Sequence, residues 1–150
     1  MTSTIKTDGN NTAFLQLAAE LEDELKIRDG ADHAFYAELN KVDHLKHVVI
    51  AYIDKMAVGC GAFREYSEDA VELKRMYVKE GNRKEGIASA ILQSLEAWAI
   101  SSGYNKCLLE TGINQPEAVA FYEKHHYHPV PRFGKYTHSE NSLCFEKQLK

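Results

Sequence analysis

Apolar side chains near the start of the chain recur at intervals of three and four residues, the spacing that lines one face of a helix. The apolar positions are Phe14, Leu17, Ala18, Leu21 and Leu25. Residues 8–11 offer a turn and a side-chain cap before this run, and Gly30 is placed to end it. The pattern predicts a helix over residues 12–28, preceded by a short strand at residues 4–7.

The middle of the chain changes to β-branched and aromatic runs that are separated by short polar turns. Such runs are typical of strands, and they cover residues 47–53, 57–63 and 71–78. Because the connections are short, we expect an antiparallel meander. Residues 31–45, which precede it, are mixed in pattern and predict at most one short, irregular helix.

A helical period returns after the meander. Its apolar positions are Ile87, Ala90, Ile91, Leu95, Trp98 and Ala99. They predict a helix over residues 87–102 that Gly103 ends in a left-handed conformation, followed by a buried strand at residues 107–110. A strand, a helix and a strand in this order imply a parallel pair with a right-handed crossover.

The last third of the chain predicts one more helix and two more strands. Pro116 suits the first position of a helix over residues 116–126. Residues 127–130 and 143–145 are short strand candidates on either side of a polar loop. At 150 residues the chain is long enough for one core and short for two. We therefore expect a single domain over residues 1–150, of α/β class.

Charge and composition exclude several classes of partner. The formal net charge is −4, so no basic field is available for nucleic acid or an anionic membrane surface. No apolar run approaches the roughly 20 residues that span a bilayer, and the N-terminus lacks the apolar core of a signal peptide. We expect a cytoplasmic protein with neither nucleic-acid nor membrane partners.

Neither the cysteines nor the histidines are spaced as metal ligands. Cys60, Cys107 and Cys144 lie far apart, and we expect them to be reduced, buried hydrophobes. His125 and His126 stand close to a third histidine, but no partner is spaced to complete a tetrahedral zinc site. The sequence predicts no metal.

The segment of residues 83–88, Arg-Lys-Glu-Gly-Ile-Ala, lies between a predicted strand and a predicted helix. The first amides of a helix have no intrahelical partners and lie at the positive end of its dipole, so they can bind a diphosphate. Gly86 would let the phosphates approach the backbone. The alternative is that Gly86 and Ala88 only allow close packing of helix on sheet. The dinucleotide and nucleotide-triphosphate loop patterns are absent from the sequence.

This segment, with residues 72–78 before it and residues 115–124 after it, resembles the GNAT N-acetyltransferase superfamily. The shared features are Arg-x-x-Gly-x-Ala at the helix start and Ala-x-x-Phe-Tyr-x-Lys in the later helix. The resemblance extends over residues 5–149. It implies the GNAT acyl-CoA N-acyltransferase fold, in which a mixed, mostly antiparallel sheet has a central splayed pair of parallel strands and is flanked by helices. It also implies acetyl-CoA as co-substrate.

The resemblance assigns roles to particular residues. The implied cofactor-binding residues are Met76, Tyr77, Val78, Arg83, Lys84, Glu85, Gly86, Ile87, Ala88, Ser89, Gln115, Tyr122 and Lys124. Tyr122 would protonate the departing thiolate, although it could instead be an ordinary buried aromatic. Glu72 would be the base, with Glu110 as the next candidate and a solvated strand carboxylate as the alternative. Gln115 and His126 depart from the family pattern, which has Asn and Gly there.

The implied function is transfer of an acetyl group from acetyl-CoA to a primary amine of a small molecule or peptide, by direct attack in a ternary complex. The alternative is a CoA-binding sensor or interaction module without turnover. The acceptor pocket is expected from the least regular segments, with Tyr36, Asn40 and Tyr136 as candidate lining residues. The sequence leaves open whether the protein forms a homodimer.

Overall fold

The computed structural model describes residues 2–29 and 45–150 of the chain. The strands are β1 (Thr2–Thr7), β2 (His47–Ile53), β3 (Met56–Ser67), β4 (Ala70–Val78), β5 (Lys106–Gly112), β6 (His128–Val130) and β7 (Ser142–Gln148), and the helices are α1 (Thr12–Asp29), α2 (Ile87–Ser101) and α3 (Pro116–Lys124). The strands form one sheet in the order β1-β2-β3-β4-β5-β7-β6. All but the last residue of the short helix predicted over residues 31–45 lie outside the described residues, as do Tyr36 and Asn40.

Helix α1 confirms the first helical prediction. Its capping residue is Asn11, whose Oδ1 accepts a hydrogen bond of 3.1 Å from the amide of Phe14. Phe14 and Leu17 are fully buried against one face of the sheet, in a cluster that includes Val48 and Ile50 of β2. The three- and four-residue spacing predicted this helix correctly, because one face of the helix is buried and the other is exposed to solvent.

The predicted meander is present, and its strands are longer than the apolar runs. β2, β3 and β4 pair antiparallel, and β1 adds an edge strand beside β2. β3 continues past Phe63 through three exposed or half-exposed residues to Ser67. The backbone ladder with β4 goes on there although the side chains face solvent, so hydropathy alone ends the strand too early.

Helix α2 covers the opposite face of the sheet from α1. Ile91, Leu92 and Leu95 are buried against residues of the central strands. A Cβ added at Gly61 of β3 would lie 2.9 Å from Ile91 Cγ2 and 2.9 Å from Leu95 Cδ1. The helix therefore approaches the strand as closely as the absence of a side chain allows. Gly103 ends the helix region at φ 98°, as predicted.

The central parallel pair is short. β4 and β5 pair at Ala70–Lys106, Val71–Cys107 and Glu72–Leu108 and at no later position. Just beyond, β4 carries a bulge in which Arg75 and Met76 together face one residue of β3, and Arg75 has a left-handed φ of 57°. The two strands therefore separate toward their C-terminal ends, which confirms the predicted splay.

The C-terminal helix ends earlier than predicted. α3 stops at Lys124 instead of His126, and His126 takes up the left-handed conformation with φ 73°. The amide of Tyr127 donates to the carbonyl of Tyr122 at 3.0 Å, so the turn closes as it would with glycine there.

Strand β7 lies between β5 and β6. Within the described ranges, no helix is long and apolar enough to cross a bilayer.

Candidate active site

An open cleft lies where β4 and β5 separate. Its volume is about 110 Å³, and its lining includes residues of α1, β4, β5 and α3. The lining residues that matter for chemistry are Lys74, Met76, Glu110, Gln115, Tyr122 and Tyr136. The topology explains the position, since a parallel pair that separates leaves a gap at the carboxyl ends of its strands.

Tyr122 lies in the cleft wall and is 7% exposed. Its ring packs edge-on against Phe121 at 5.2 Å and Tyr127 at 5.7 Å between centroids. Burial raises the pKa of Tyr122 above its ordinary value near 10, so the phenol stays protonated at neutral pH. The ring therefore belongs to the core and also lines the cleft, which leaves both of its predicted roles open.

Glu72 lies behind the cleft wall and is 1% exposed. Its Oε1 accepts 2.9 Å hydrogen bonds from both Nε and a terminal nitrogen of Arg64, the residue opposite it on β3. Its Oε2 accepts a 2.8 Å hydrogen bond from the hydroxyl of Tyr136. The alternative that Glu72 is a solvated strand carboxylate is wrong. Glu72 itself is not among the residues that line the cleft.

Lys74 and Tyr136 separate Glu72 from the cleft. Lys74 Nζ donates to Tyr136 Oη at 3.0 Å and lies 3.6 Å from Glu72 Oε2. Burial lowers the pKa of Lys74, while the charges of Glu72 and Glu110 act in the opposite direction. Tyr136 is held by a short 3-10 turn, Gly134–Tyr136, in the loop before β7.

Glu110 is the carboxylate that lines the cleft directly. It is half-buried on β5, and its Oε2 accepts a 2.6 Å hydrogen bond from Ser142 Oγ at the start of β7. Burial and the neighbouring Glu72 raise the pKa of Tyr136, and the charge of Glu110 adds to that rise. The Glu110 side chain thus lines the cleft from β5, the strand next to β4 in the sheet.

The predicted diphosphate loop forms as a tight connection between β4 and α2. Gly86 precedes the helix at φ 82°, and no side chain caps the helix. The first amides of α2 are therefore free of intrahelical and side-chain partners. A Cβ at Gly86 would meet no atom within 4 Å, so open space lies in front of the loop. Lys84 and Glu85 are exposed, and Lys84 also has a left-handed φ, of 67°.

Arg83 turns back toward the protein. Its Nε donates to the carbonyl of Val78 at 2.8 Å, and its guanidinium pairs with Glu24 of α1 at 2.7 Å and lies over the ring of Tyr77. In the described structure Arg83 thus ties the loop to β4 and α1.

The other predicted cofactor residues lie either in the cleft or around the start of α2 and the end of α3. Gln115 precedes α3 without a side-chain cap and lines the cleft, as does Met76. Ser89 Oγ lies 2.9 Å from His125 Nε2, which joins the first turn of α2 to the end of α3. Ile87 is buried, Ala88 is half-buried and Lys124 is exposed. The loop residues themselves are not part of the cleft lining.

Sequence reasoning missed Lys74. A lysine within a strand is usually an outward-facing residue, and no spacing in the sequence marks it as buried. The burial of Glu72 and its contact with Tyr136 were equally hidden, because 64 residues separate the two. Among residues 2–29 and 45–150, no three His, Cys, Asp or Glu side chains are grouped so as to hold a metal ion.

Comparisons with known proteins agree with this architecture. The acetyltransferase (GNAT) family matches residues 12–127. A curated relative, the IAA acetyltransferase of Azospirillum brasilense, is 37% identical over 93 residues, which are 61% of each chain. The chain therefore spans about three fifths of the length of that curated relative.

Solved structures resemble the chain over almost its whole length. A Klebsiella pneumoniae protein assigned to the acyl-CoA N-acyltransferases has a TM-score of 0.84 and 26% identity, and the match covers 100% of this chain and 99% of the other. A GNAT family acetyltransferase of Elizabethkingia anophelis with acetyl-CoA bound has a TM-score of 0.71 and 14% identity, covering 98% and 97%. With the splayed strands, the glycine loop and a family match over more than half its residues, this chain belongs to the acetyltransferase (GNAT) family.

Proposed function

We propose that the protein transfers the acetyl group of acetyl-CoA to a primary amine of a small molecule or peptide, by direct attack in a ternary complex. The observation that carries this proposal is the cleft between β4 and β5, which brings Tyr122 and Glu110 to one space. An acid for the leaving thiolate and a base for the entering amine are what the transfer needs.

Acetyl-CoA would enter the gap between the splayed strands. The backbone of Met76, Tyr77 and Val78 lies beyond the last β4–β5 pair and would hydrogen-bond the pantetheine. The diphosphate would bind residues 83–89, where the free amides of α2 and the positive end of its dipole favour an anion. Gln115 at the start of α3 and Lys124 at its end complete the proposed set of cofactor contacts.

The acceptor enters as an ammonium ion and must lose a proton before its nitrogen can attack. We assign this proton to Glu110, because its carboxylate lines the cleft. A direct transfer to Glu72, the base expected from the sequence, needs access to oxygens that Arg64 and Tyr136 already contact. Both carboxylates stay within the proposal, and the pH dependence of two variants separates them.

The nitrogen lone pair then forms a bond to the thioester carbonyl carbon, and a backbone N–H of β4 beyond the bulge would stabilise the oxyanion. The C–S bond breaks, and the thiolate takes a proton from the phenol of Tyr122. In balance, an ammonium ion and acetyl-CoA give an amide, the free thiol of CoA and one proton released to solvent. Tyr122 regains its proton from the nitrogen side of the reaction through solvent or Glu110.

Charge and thiol chemistry bear on the partners and the location. The net charge of −4 disfavours a nucleic-acid acceptor. All three cysteines are free and buried, which fits the reducing cytoplasm in which we place the protein.

The test is release of thiol from acetyl-CoA in the presence of amino acids, polyamines and lysine peptides. Burial raises the pKa of Cys60 and Cys107 to about 12, so the protein's own thiols will contribute little background. We expect amine-dependent release from at least one class of acceptor. Tight CoA binding without release from any amine would instead favour a CoA-binding module that lacks turnover.

A further inference from the structure

Four polar side chains, those of Arg64, Glu72, Lys74 and Tyr136, form a network along one wall of the cleft, and all of them except Arg64 are buried. Arg64 donates to Glu72 Oε1 at 2.9 Å, and Tyr136 donates to Glu72 Oε2 at 2.8 Å. Lys74 in turn donates to Tyr136 Oη at 3.0 Å. Glu72, Lys74 and Tyr136 are 1%, 6% and 3% exposed. Only Lys74 and Tyr136 of these line the cleft.

The network fixes the direction in which the Tyr136 hydroxyl can bond. A carboxylate only accepts hydrogen bonds, so the single proton of Tyr136 points at Glu72. Arg64 holds that carboxylate in place from the other side, because two of its nitrogens converge on Oε1 at 2.9 Å. One of the two lone pairs on Tyr136 Oη receives Lys74 Nζ. The remaining lone pair makes Tyr136 a hydrogen-bond acceptor, and not a donor, toward anything else that it meets.

We propose that Tyr136 Oη binds an N–H of the acceptor amine in the cleft, and that Glu72 and Lys74 are positioning residues that hold Tyr136 in this polarity. The inference rests on the proposed acetyltransferase function and names how that site recognises its acceptor. The acceptor class is an amine whose neutral form, with its lone pair available for attack, still carries at least one N–H.

The same geometry separates amines from alcohols. A primary amine that gives one N–H to Tyr136 still has a second N–H for Glu110 and a lone pair for the thioester. An alcohol has one O–H, which Tyr136 and Glu110 would both need. The network therefore favours transfer to nitrogen over transfer to oxygen, and it disfavours amines that carry no N–H.

The first experiment measures kcat and KM with acetyl-CoA and the most rapidly acetylated amine of the panel. Tyr136→Phe removes the acceptor oxygen, and we expect kcat/KM to fall about 10- to 100-fold, as for a hydrogen bond to a charged group. Tyr104→Phe is the matched control, because Tyr104 donates to Glu65 at 2.6 Å and does not line the cleft. It should leave kcat/KM unchanged, and both variants should bind CoA as wild type does.

Glu72→Gln tests the polarity. Its amide oxygen would stay with Arg64 and its amide nitrogen would donate to Tyr136, which turns the phenol proton toward the cleft. We expect a loss of kcat/KM similar to that of Tyr136→Phe, with a pH–rate profile of unchanged shape. A profile that recovers as pH rises would make Glu72 the base and would overturn the positioning role.

A binding experiment decides the inference even if no amine of the panel is acetylated. The ring resonances of Tyr136 in CoA-saturated protein, assigned by their loss in Tyr136→Phe, are followed by NMR while n-butylamine is added. They should shift with n-butylamine and not with butyltrimethylammonium, which has the same charge but no N–H. Equal shifts with both cations, or kcat/KM within about twofold of wild type for Tyr136→Phe, would overturn the inference.

Discussion

Tyr122 shows at the scale of one residue how a core side chain can also face a reaction. Its ring is part of the buried cluster beneath α2, yet the side chain lines the cleft. Because burial raises the pKa of Tyr122 above its ordinary value near 10, the proton that it would give to a thiolate is present at neutral pH. Packing and acidity are therefore set by the same environment.

Tyr122→Phe keeps the ring and removes the proton. We expect kcat to fall on the order of 100-fold or more while the affinity for CoA changes little, since the acid acts only in the step that breaks the C–S bond. Steady-state rates with saturating acetyl-CoA and calorimetry with CoA measure the two quantities. A kcat within about threefold of wild type, with chemistry limiting the rate, would leave Tyr122 as a packing residue.

Glu110→Gln removes the proposed base. The loss of rate should be greatest near neutral pH, where the acceptor amine is mainly protonated, and should shrink as pH rises and free amine appears. The pH–rate profile of Glu72→Gln is measured beside it, because the two carboxylates differ in access to the cleft. A profile of Glu110→Gln that runs parallel to wild type would return the base role to Glu72.

At the scale of elements, the loop before α2 depends on one glycine. Gly86 has a φ of 82°, a conformation that costs other residues about 1 kcal/mol. Gly86→Ala should lower the free energy of unfolding by about that amount and no more, because no protein atom stands within 4 Å of the new methyl group to add a clash. Gly86→Glu should abolish CoA binding, since it adds negative charge beside the diphosphate.

Chemical denaturation and calorimetry measure these effects. Gly81→Glu is the matched control, because Gly81 also has open space around it and has no positive φ. It adds the same charge in the short turn before the loop. If Gly86→Glu folds and binds CoA as tightly as Gly81→Glu does, the diphosphate does not bind at this loop.

The elements were predictable where one side of each is buried. The α2 stripe and the crossover to β5 were read correctly, because a helix period and a short apolar strand leave clear patterns. The end of β3 was not, because its last residues pair through the backbone while their side chains are exposed. The end of α3 was misplaced by two residues, since His126 adopts a conformation that sequence patterns reserve for glycine.

The candidate site was predictable in part. The loop at Gly86 and the position of Tyr122 follow from motifs that are local in sequence. The contacts among Glu72, Lys74 and Tyr136 join β4 to a turn more than 60 residues later, and no pattern within either segment carries that information. Acidic and basic strand residues look alike in sequence whether they are solvated or buried in a network.

At the scale of the whole molecule, the closeness of α2 to the sheet depends on Gly61. An added methyl group there would clash first with the Met76 sulfur on β4 and would also press on Ile91 and Leu95, which belong to the core. We expect Gly61→Ala to lower the free energy of unfolding by about 1–3 kcal/mol, as overpacked cores do. Denaturant titration measures it, with Gly81→Ala as control. An unchanged midpoint would show that α2 can shift without cost.

The short pairing of β4 with β5 affects how readily the backbone amides at the end of β4 exchange with solvent. Only three residue pairs join these strands, so the amides of Met76, Tyr77 and Val78 have no β5 partner. A cofactor seated there would act as a missing strand and would join the two halves of the sheet. Hydrogen–deuterium exchange of those amides that face the gap should be fast in the free protein and should slow on addition of CoA. Exchange that CoA leaves unchanged would mean that the gap is not where the cofactor lies.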